Sequence, residues 1–181
     1  VNKALLPLNG KTIIEHIASL AKSIFSKVIL ITNHPEEYSF LGLEMFKDIY
    51  QGKGPLAGIH SGLNNSKTER NFVLSCDIPL INKEIIEYLL KYDTTYPVTV
   101  IKADGFIQHL CGVYSRSLIM YAEEILRHMD NGTQTGKKGK CKMTELLDTN
   151  GAEIIDCRDI PHYYEGMFLN INRPFDYQTL L

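Results

Sequence analysis

This chain lacks any marked excess of basic or acidic residues. Its 181 residues carry 19 Lys and Arg against 21 Asp and Glu, a net charge of −2. That excludes a broad basic surface of the kind that holds nucleic acid. An anion site has to be local, built from a few lysines and backbone amides. Cysteine is sparse too: Cys76, Cys111, Cys141 and Cys157 form no CxxC pair and no zinc-like spacing with the six histidines. Scattered cysteines of this sort point to a reducing compartment, and the expected location is cytoplasmic. No apolar run reaches membrane-spanning length and no signal peptide is visible, so no membrane partner is expected. What is present, 44% hydrophobic and 22% charged residues, suits one globular domain over 1–181 with a substantial core.

The stretch NFVLSCDIPLIN (71–82) organises the rest. Phe72, Val73 and Leu74 read as a short buried strand, Asp77 follows where it stops, and Pro79 forbids an interior ladder. A helical pattern begins at Lys83. A carboxylate at the carboxyl end of a parallel strand faces the crevice where open α/β sheets bind ligands. A hard cation such as Mg²⁺ takes oxygen ligands there, one or two carboxylates plus substrate phosphates. Asp77 is thus a candidate metal-holding aspartate, with a helix cap or turn residue as the ordinary alternative.

In chain order, Ala4 to Leu8 read as an extended segment entering an Asn9-Gly10 turn. Thr12 and Glu15 make a capping box for an amphipathic helix over 12–25. Residues 27–32 (KVILIT) read as a strand buried on both faces. It ends at Asn33, which suits either a ligand's base edge or an Asx turn. His34 reads as a solvated loop histidine. A weaker strand over 43–46 precedes Asp48. The segment QGKGPLAGI (51–59) combines glycines that permit close approach of a ligand with Pro55, suited to the first position of a helix. It lacks the lysine-hydroxyl ending of a phosphate-binding Walker loop.

Further strands are predicted over 96–101, 108–114, 153–156 and 167–171, and helices over 83–92, 116–129, 142–147 and 175–181. A polar glycine- and lysine-rich loop occupies 131–140. Strands alternate with helices throughout, which argues for an α/β sandwich around a mostly parallel sheet.

Taken together, KALLPLNGKTIIEH, ITN, Asp48 with GKGPLAGI, LSCDIP, HLCGVY and LNINRP resemble the molybdenum cofactor guanylyltransferases over nearly the whole chain. The resemblance implies a Rossmann-like three-layer α/β/α sandwich of nucleotidyltransferase type. It implies transfer of GMP from GTP to molybdopterin with Mg²⁺, releasing pyrophosphate. By the same resemblance Lys3 contacts phosphate, Asn33 and Asp48 contact guanine or ribose, and Gly54, Pro55 and Leu56 form part of the nucleotide pocket wall. Asp77 is the Mg²⁺ aspartate, and Lys3 with Asp77 form the catalytic pair. Asn170 and Asn172 match the family's NxN(T)P stretch on the molybdopterin side, although Arg173 stands where threonine is usual. His109 precedes Leu110 where the family often has proline, and it is assigned no role. Molybdoenzymes or their chaperones are the implied protein partners.

The family opens with a strand and a glycine-rich loop, of the type LAGGxSxRMG, ahead of the lysine. This sequence begins Val1-Asn2-Lys3, so that element is expected to be missing from it. Three other functions remain open on the sequence. Two keep the fold: a molybdopterin cytidylyltransferase and a sugar-phosphate nucleotidyltransferase. The third is a non-catalytic nucleotide-binding protein.

Overall fold

Local signals build the first third of the chain. In a computed structural model describing residues 2–130, 142–170 and 177, Asn2 caps a 3-10 turn over Lys3–Leu5. Strands β1 (Pro7–Leu8) and β2 (Lys11–Thr12) then pair around Asn9 and Gly10, whose φ angles are 47° and 82°. Two consecutive left-handed residues are the geometry that Asn-Gly tolerates best. Thr12 and Glu15 complete the expected capping box, and α1 (Ile13–Ile24) buries Ile13, Ile14, Ile17 and Ala18. Strand β3 (Ile29–Ile31) runs parallel to β4 (Glu44–Phe46). Helix α2 (Pro55–Asn65) begins at proline, as predicted.

Strand β5 (Arg70–Leu74) leads through Asp77 to α3 (Lys83–Lys91), which Asn82 caps by accepting the Ile85 N–H at 3.0 Å. Strands β6 (Val98–Ala103) and β7 (Phe106–Ser115) form a hairpin across Asp104 and Gly105, at φ 52° and 82°. Helices α4 (Ile119–Asp130) and α5 (Lys142–Asn150) and strand β8 (Glu153–Asp156) follow.

The four-stranded sheet has the order β5-β7-β6-β8. β7 is antiparallel to both neighbours, while β6 and β8 are parallel. Three of its strands therefore share one direction and β7 opposes them. Alternation along the strands sends side chains to two separate cores. Ile101, Ala103, Cys111 and Val113 pack with Ile17 of α1 and with Ile85, Ile86 and Leu89 of α3. Val98, Val100 and Tyr114 pack on the other side with α2, α4 and α5. Helices cover both faces, which is the three-layer α/β/α sandwich expected of the sequence.

Some expectations are corrected. Residues 27–32 are not fully buried: Ile29, Leu30 and Ile31 are half-buried, because β3 has only β4 beside it among the described residues. β5 is half-buried for the same reason and pairs antiparallel with β7, not within a parallel pair. No strand forms over 167–170. Met167 N–H donates to Tyr164 O at 3.2 Å and Leu169 N–H to Gly166 O at 3.0 Å, so this backbone is satisfied by turns. Met167 and Phe168 reach the α1–α3 core from a turn. The 131–140 loop lies outside the described residues, as does the 175–181 helix apart from Tyr177, which is helical. No helix among the described residues is long and apolar enough to cross a membrane.

One irregularity in the sheet positions the site. The β6–β7 register shifts between Val100, opposite Gly112, and Ile101, opposite Gln108. His109, Leu110 and Cys111 are thus extra residues on β7 with no counterpart on β6, an extended bulge. At its end the strands close tightly. A Cβ on Gly112 would lie 2.4 Å from the Thr99 carbonyl oxygen and 2.7 Å from Val100 Cγ1. Only glycine fits there.

Candidate functional site

Asp77 lies three residues beyond the end of β5, half-buried, at a cavity of about 230 Å³. Pro55, from the first turn of α2, also lines it, as do Gln108 and His109 of β7 and Asn170. Ile78, Leu110 and Met143 form its apolar wall. The fold thereby brings together three residues that the sequence nominated: Pro55, Asp77 and Asn170. Gly54 is the residue preceding α2, at φ 72° and ψ −159°, a backbone conformation open essentially to glycine alone. It lets the chain turn into the free N–H groups of the first helical turn. Leu56 does not join the wall. It is 1% exposed and packs into the core shared by α2, α4 and α5.

Asn33 and Asp48 form a second group. The Asn33 amide donates to Asp48 Oδ2 at 2.9 Å, and the Asp48 backbone N–H donates to Asn33 Oδ1 at 3.1 Å. The pair locks together the carboxyl ends of β3 and β4. Asp48 Oδ1 is shielded from water and has no hydrogen-bond partner among the described residues. A buried acceptor left unpaired costs about 1–3 kcal/mol, so such groups are rare without a reason. Gly58 of α2 faces this oxygen; a Cβ built there would sit 3.8 Å from it. Neither Asn33 nor Asp48 lines the Asp77 cavity. Lys3 is exposed on its 3-10 turn, whose Ala4 packs in the same cluster as Cys76. Asn172 lies outside the described residues.

Asp77 donates its backbone N–H to Ser75 Oγ at 3.4 Å, and its carboxylate has no hydrogen bond or ion pair among the described residues. Its charge is felt nearby: burial first, and the Asp77 carboxylate second, push the Cys76 thiol up and the Cys111 thiol up to about 12. Both cysteines are therefore favoured as neutral thiols at neutral pH. A carboxylate without a counter-charge, sharing a cavity with the amide of Asn170, offers hard oxygen donors that fit a divalent cation. His34, Glu36 and Glu37 also approach one another, but all three are exposed and His34 pairs with Glu36 at 3.6 Å. Glu36 and Glu37 lie on an exposed 3-10 turn over Pro35–Leu41, with His34 preceding it, an ordinary solvated surface.

His109 and Gln108 are polar cavity residues to which the sequence assigned no role. Burial holds the His109 imidazole below the usual histidine range, and its Nε2 is shielded from water with no partner among the described residues. Strand alternation gives no sign of the bulge that puts both residues at the cavity. The available hint was the place of His109 in the resemblance, ahead of Leu110 where the family often has proline.

Comparison with known proteins agrees with this architecture. Residues 1–141 match the MobA-like NTP transferase domain. The probable molybdenum cofactor guanylyltransferase of Carboxydothermus hydrogenoformans is 35% identical over 99% of this chain and 87% of its own length. A protein of the same name from Aquifex aeolicus is 31% identical over 99% of this chain and 82% of its own. Among solved structures, an Aquifex aeolicus protein superposes with a TM-score of 0.73 at 30% identity, covering 89% of this chain and 79% of that one. The molybdopterin-guanine dinucleotide biosynthesis protein A of Archaeoglobus fulgidus shares the fold, with a TM-score of 0.76 at 22% identity over 99% and 89% of the two chains. By these matches and by its three-layer fold, the chain belongs to the MobA-like NTP transferase family, among the molybdenum cofactor guanylyltransferases, and is a nucleotidyltransferase.

Proposed function

We propose that this protein transfers GMP from GTP to molybdopterin, releasing pyrophosphate and giving the guanine dinucleotide form of the cofactor. The observation that carries the reading is Asp77, an unpaired carboxylate in a cavity it shares with Pro55 and Asn170, in a chain 35% identical to a named guanylyltransferase along its length. In this reading Asp77, which shares its cavity with Asn170, would hold Mg²⁺. Bound there, the ion supplies Lewis-acid neutralisation of the phosphate oxygens.

The protein's own groups do the remainder. Lys3 offsets the charge of the departing pyrophosphate. The Asn33–Asp48 pair contacts the guanine or ribose, with Asp48 Oδ1 as the acceptor awaiting a donor. Gly54 and Pro55 bring the α2 N-terminus against the nucleotide. Asn170 and Asn172 serve the molybdopterin side. Nucleotidyl transfer between held phosphates needs alignment and charge stabilisation, and no protein nucleophile. The working location in this reading is the cytoplasm, where molybdoenzymes or their chaperones take up the product.

Calorimetric titration of GTP and of CTP with Mg²⁺, followed by a pyrophosphate-release assay with molybdopterin, tests the proposal. GTP is expected to bind more tightly and to be consumed. Preference for CTP would replace the product by the cytosine dinucleotide, and binding without turnover would refute the enzymatic reading.

A further inference from the structure

His109 is held by several elements and then left unpaired. The β7 bulge that carries it is tied on three sides. The fully buried Tyr114 donates its hydroxyl to the His109 carbonyl at 2.6 Å, and Ser75 N–H donates to the Leu110 carbonyl at 2.8 Å. Gly112 closes β7 onto β6 at a distance no side chain permits. A bulge fixed in this way re-aims side chains, and here it sets Gln108, His109 and Leu110 on one cavity. Nε2 of His109 nevertheless has no hydrogen-bond partner among the described residues. Rotation about χ2 is soft for an imidazole, so the nitrogen reaches a ligand without strain.

The lining of the cavity defines the ligand's chemistry. Among the described residues it includes no lysine or arginine, so these residues meet phosphate at the Asp77 end, through a cation. Elsewhere the polar groups are neutral: the amides of Gln108 and Asn170 and the imidazole of His109. Ile78, Leu110 and Met143 supply apolar faces. Neutral donors and acceptors around apolar walls suit the edge and faces of a heterocycle. At about 230 Å³ the space is smaller than the usual pocket for a drug-sized ligand and takes one ring system, not a whole dinucleotide.

We propose that His109 hydrogen-bonds the pterin ring of the acceptor, with Gln108 beside it, and so determines acceptor specificity. The phosphate end of the acceptor then lies toward Asp77 and the ring toward the β7 bulge. This inference rests on the guanylyltransferase reading for the identity of the acceptor.

The test compares wild type, His109→Phe and His109→Gln, each checked for native circular dichroism. His109→Phe keeps the ring's bulk and removes its hydrogen bonding; His109→Gln restores a polar group at similar reach. The expected result for His109→Phe is a KM for molybdopterin raised about tenfold with calorimetric GTP affinity unchanged, one hydrogen bond's worth by the usual conversion. His109→Gln recovers most of that loss. An unchanged molybdopterin KM in folded His109→Phe would overturn the proposal, as would an equal loss in GTP affinity. Fluorescence binding of 6-hydroxymethylpterin separates the two hypotheses. If wild type transfers no GMP yet binds this pterin, and His109→Phe weakens that binding, the guanylyltransferase reading fails and the His109 assignment stands. If wild type does not bind the pterin and His109→Phe leaves the molybdopterin KM unmoved, the assignment falls.

Discussion

Replacing Asp77 by asparagine should abolish transfer and leave the fold untouched, and both halves follow from the geometry. The carboxylate makes no hydrogen bond or ion pair among the described residues, so the fold loses no contact in the isosteric amide. A change of that kind lies within about 0.5 kcal/mol. For a domain of this size it moves Tm by less than about 2 °C, and removal of an uncompensated charge makes a small rise the expected sign. Catalysis is different. If the carboxylate holds the cation that neutralises the triphosphate, its loss removes several kcal/mol of transition-state stabilisation. About 4 kcal/mol corresponds to a rate reduced about a thousandfold. Pyrophosphate release under saturating GTP and molybdopterin measures the rate, and thermal unfolding measures the fold. Cys76 gives an internal control. The charge at Asp77 is the second cause raising its thiol pKa, after burial, so Cys76 should be alkylated faster in Asp77→Asn. A folded Asp77→Asn protein that turns over at the wild-type rate would refute the metal-holding role.

Two further outcomes are expected. Gly112→Ala forces a Cβ to within 2.4 Å of the Thr99 carbonyl, a backbone atom that cannot swing aside. It should destabilise the protein by at least about 1–3 kcal/mol in chemical denaturation, and an unchanged midpoint would contradict the β6–β7 register. His60 is 2% exposed, and burial lowers its pKa despite the opposing charge of Glu123. The unfolded chain therefore binds a proton that the folded one resists, so this contribution to stability is complete above about pH 6.5 and is lost as pH falls towards the lower folded value. His109 shifts in the same direction, so the diagnostic measurement is the slope of stability against pH below 6.5 in wild type and in His60→Gln. The slope should be shallower in the variant, and equal slopes would reject the burial argument.

Much of the fold was legible because it is local. Asn9-Gly10 carries its turn in its own backbone preferences, and Thr12 with Glu15 caps α1 within a single turn of chain. Pro55 starts α2 because a missing N–H costs nothing at a first helical position. Asp77 was legible as a residue at the end of a strand. Its surroundings were not, because Pro55, His109 and Asn170 come from distant parts of the chain and meet only when the sheet and its helices pack. The apolar residues at 167 and 168 show the same limit: their composition suggests a strand, but whether the backbone is satisfied by a ladder or by turns depends on what lies beside it.

The sequence by itself determined the family, the order of the elements, the caps and turns, and the nomination of Asp77, since each depends on residues close together or on a motif as a whole. Tertiary structure alone decided the β6–β7 register shift, the burial of Leu56 in the core and the arrival of His109 at the cavity. Register is a property of two strands paired across the chain, with a glycine at the point of closest approach, and no single strand carries it.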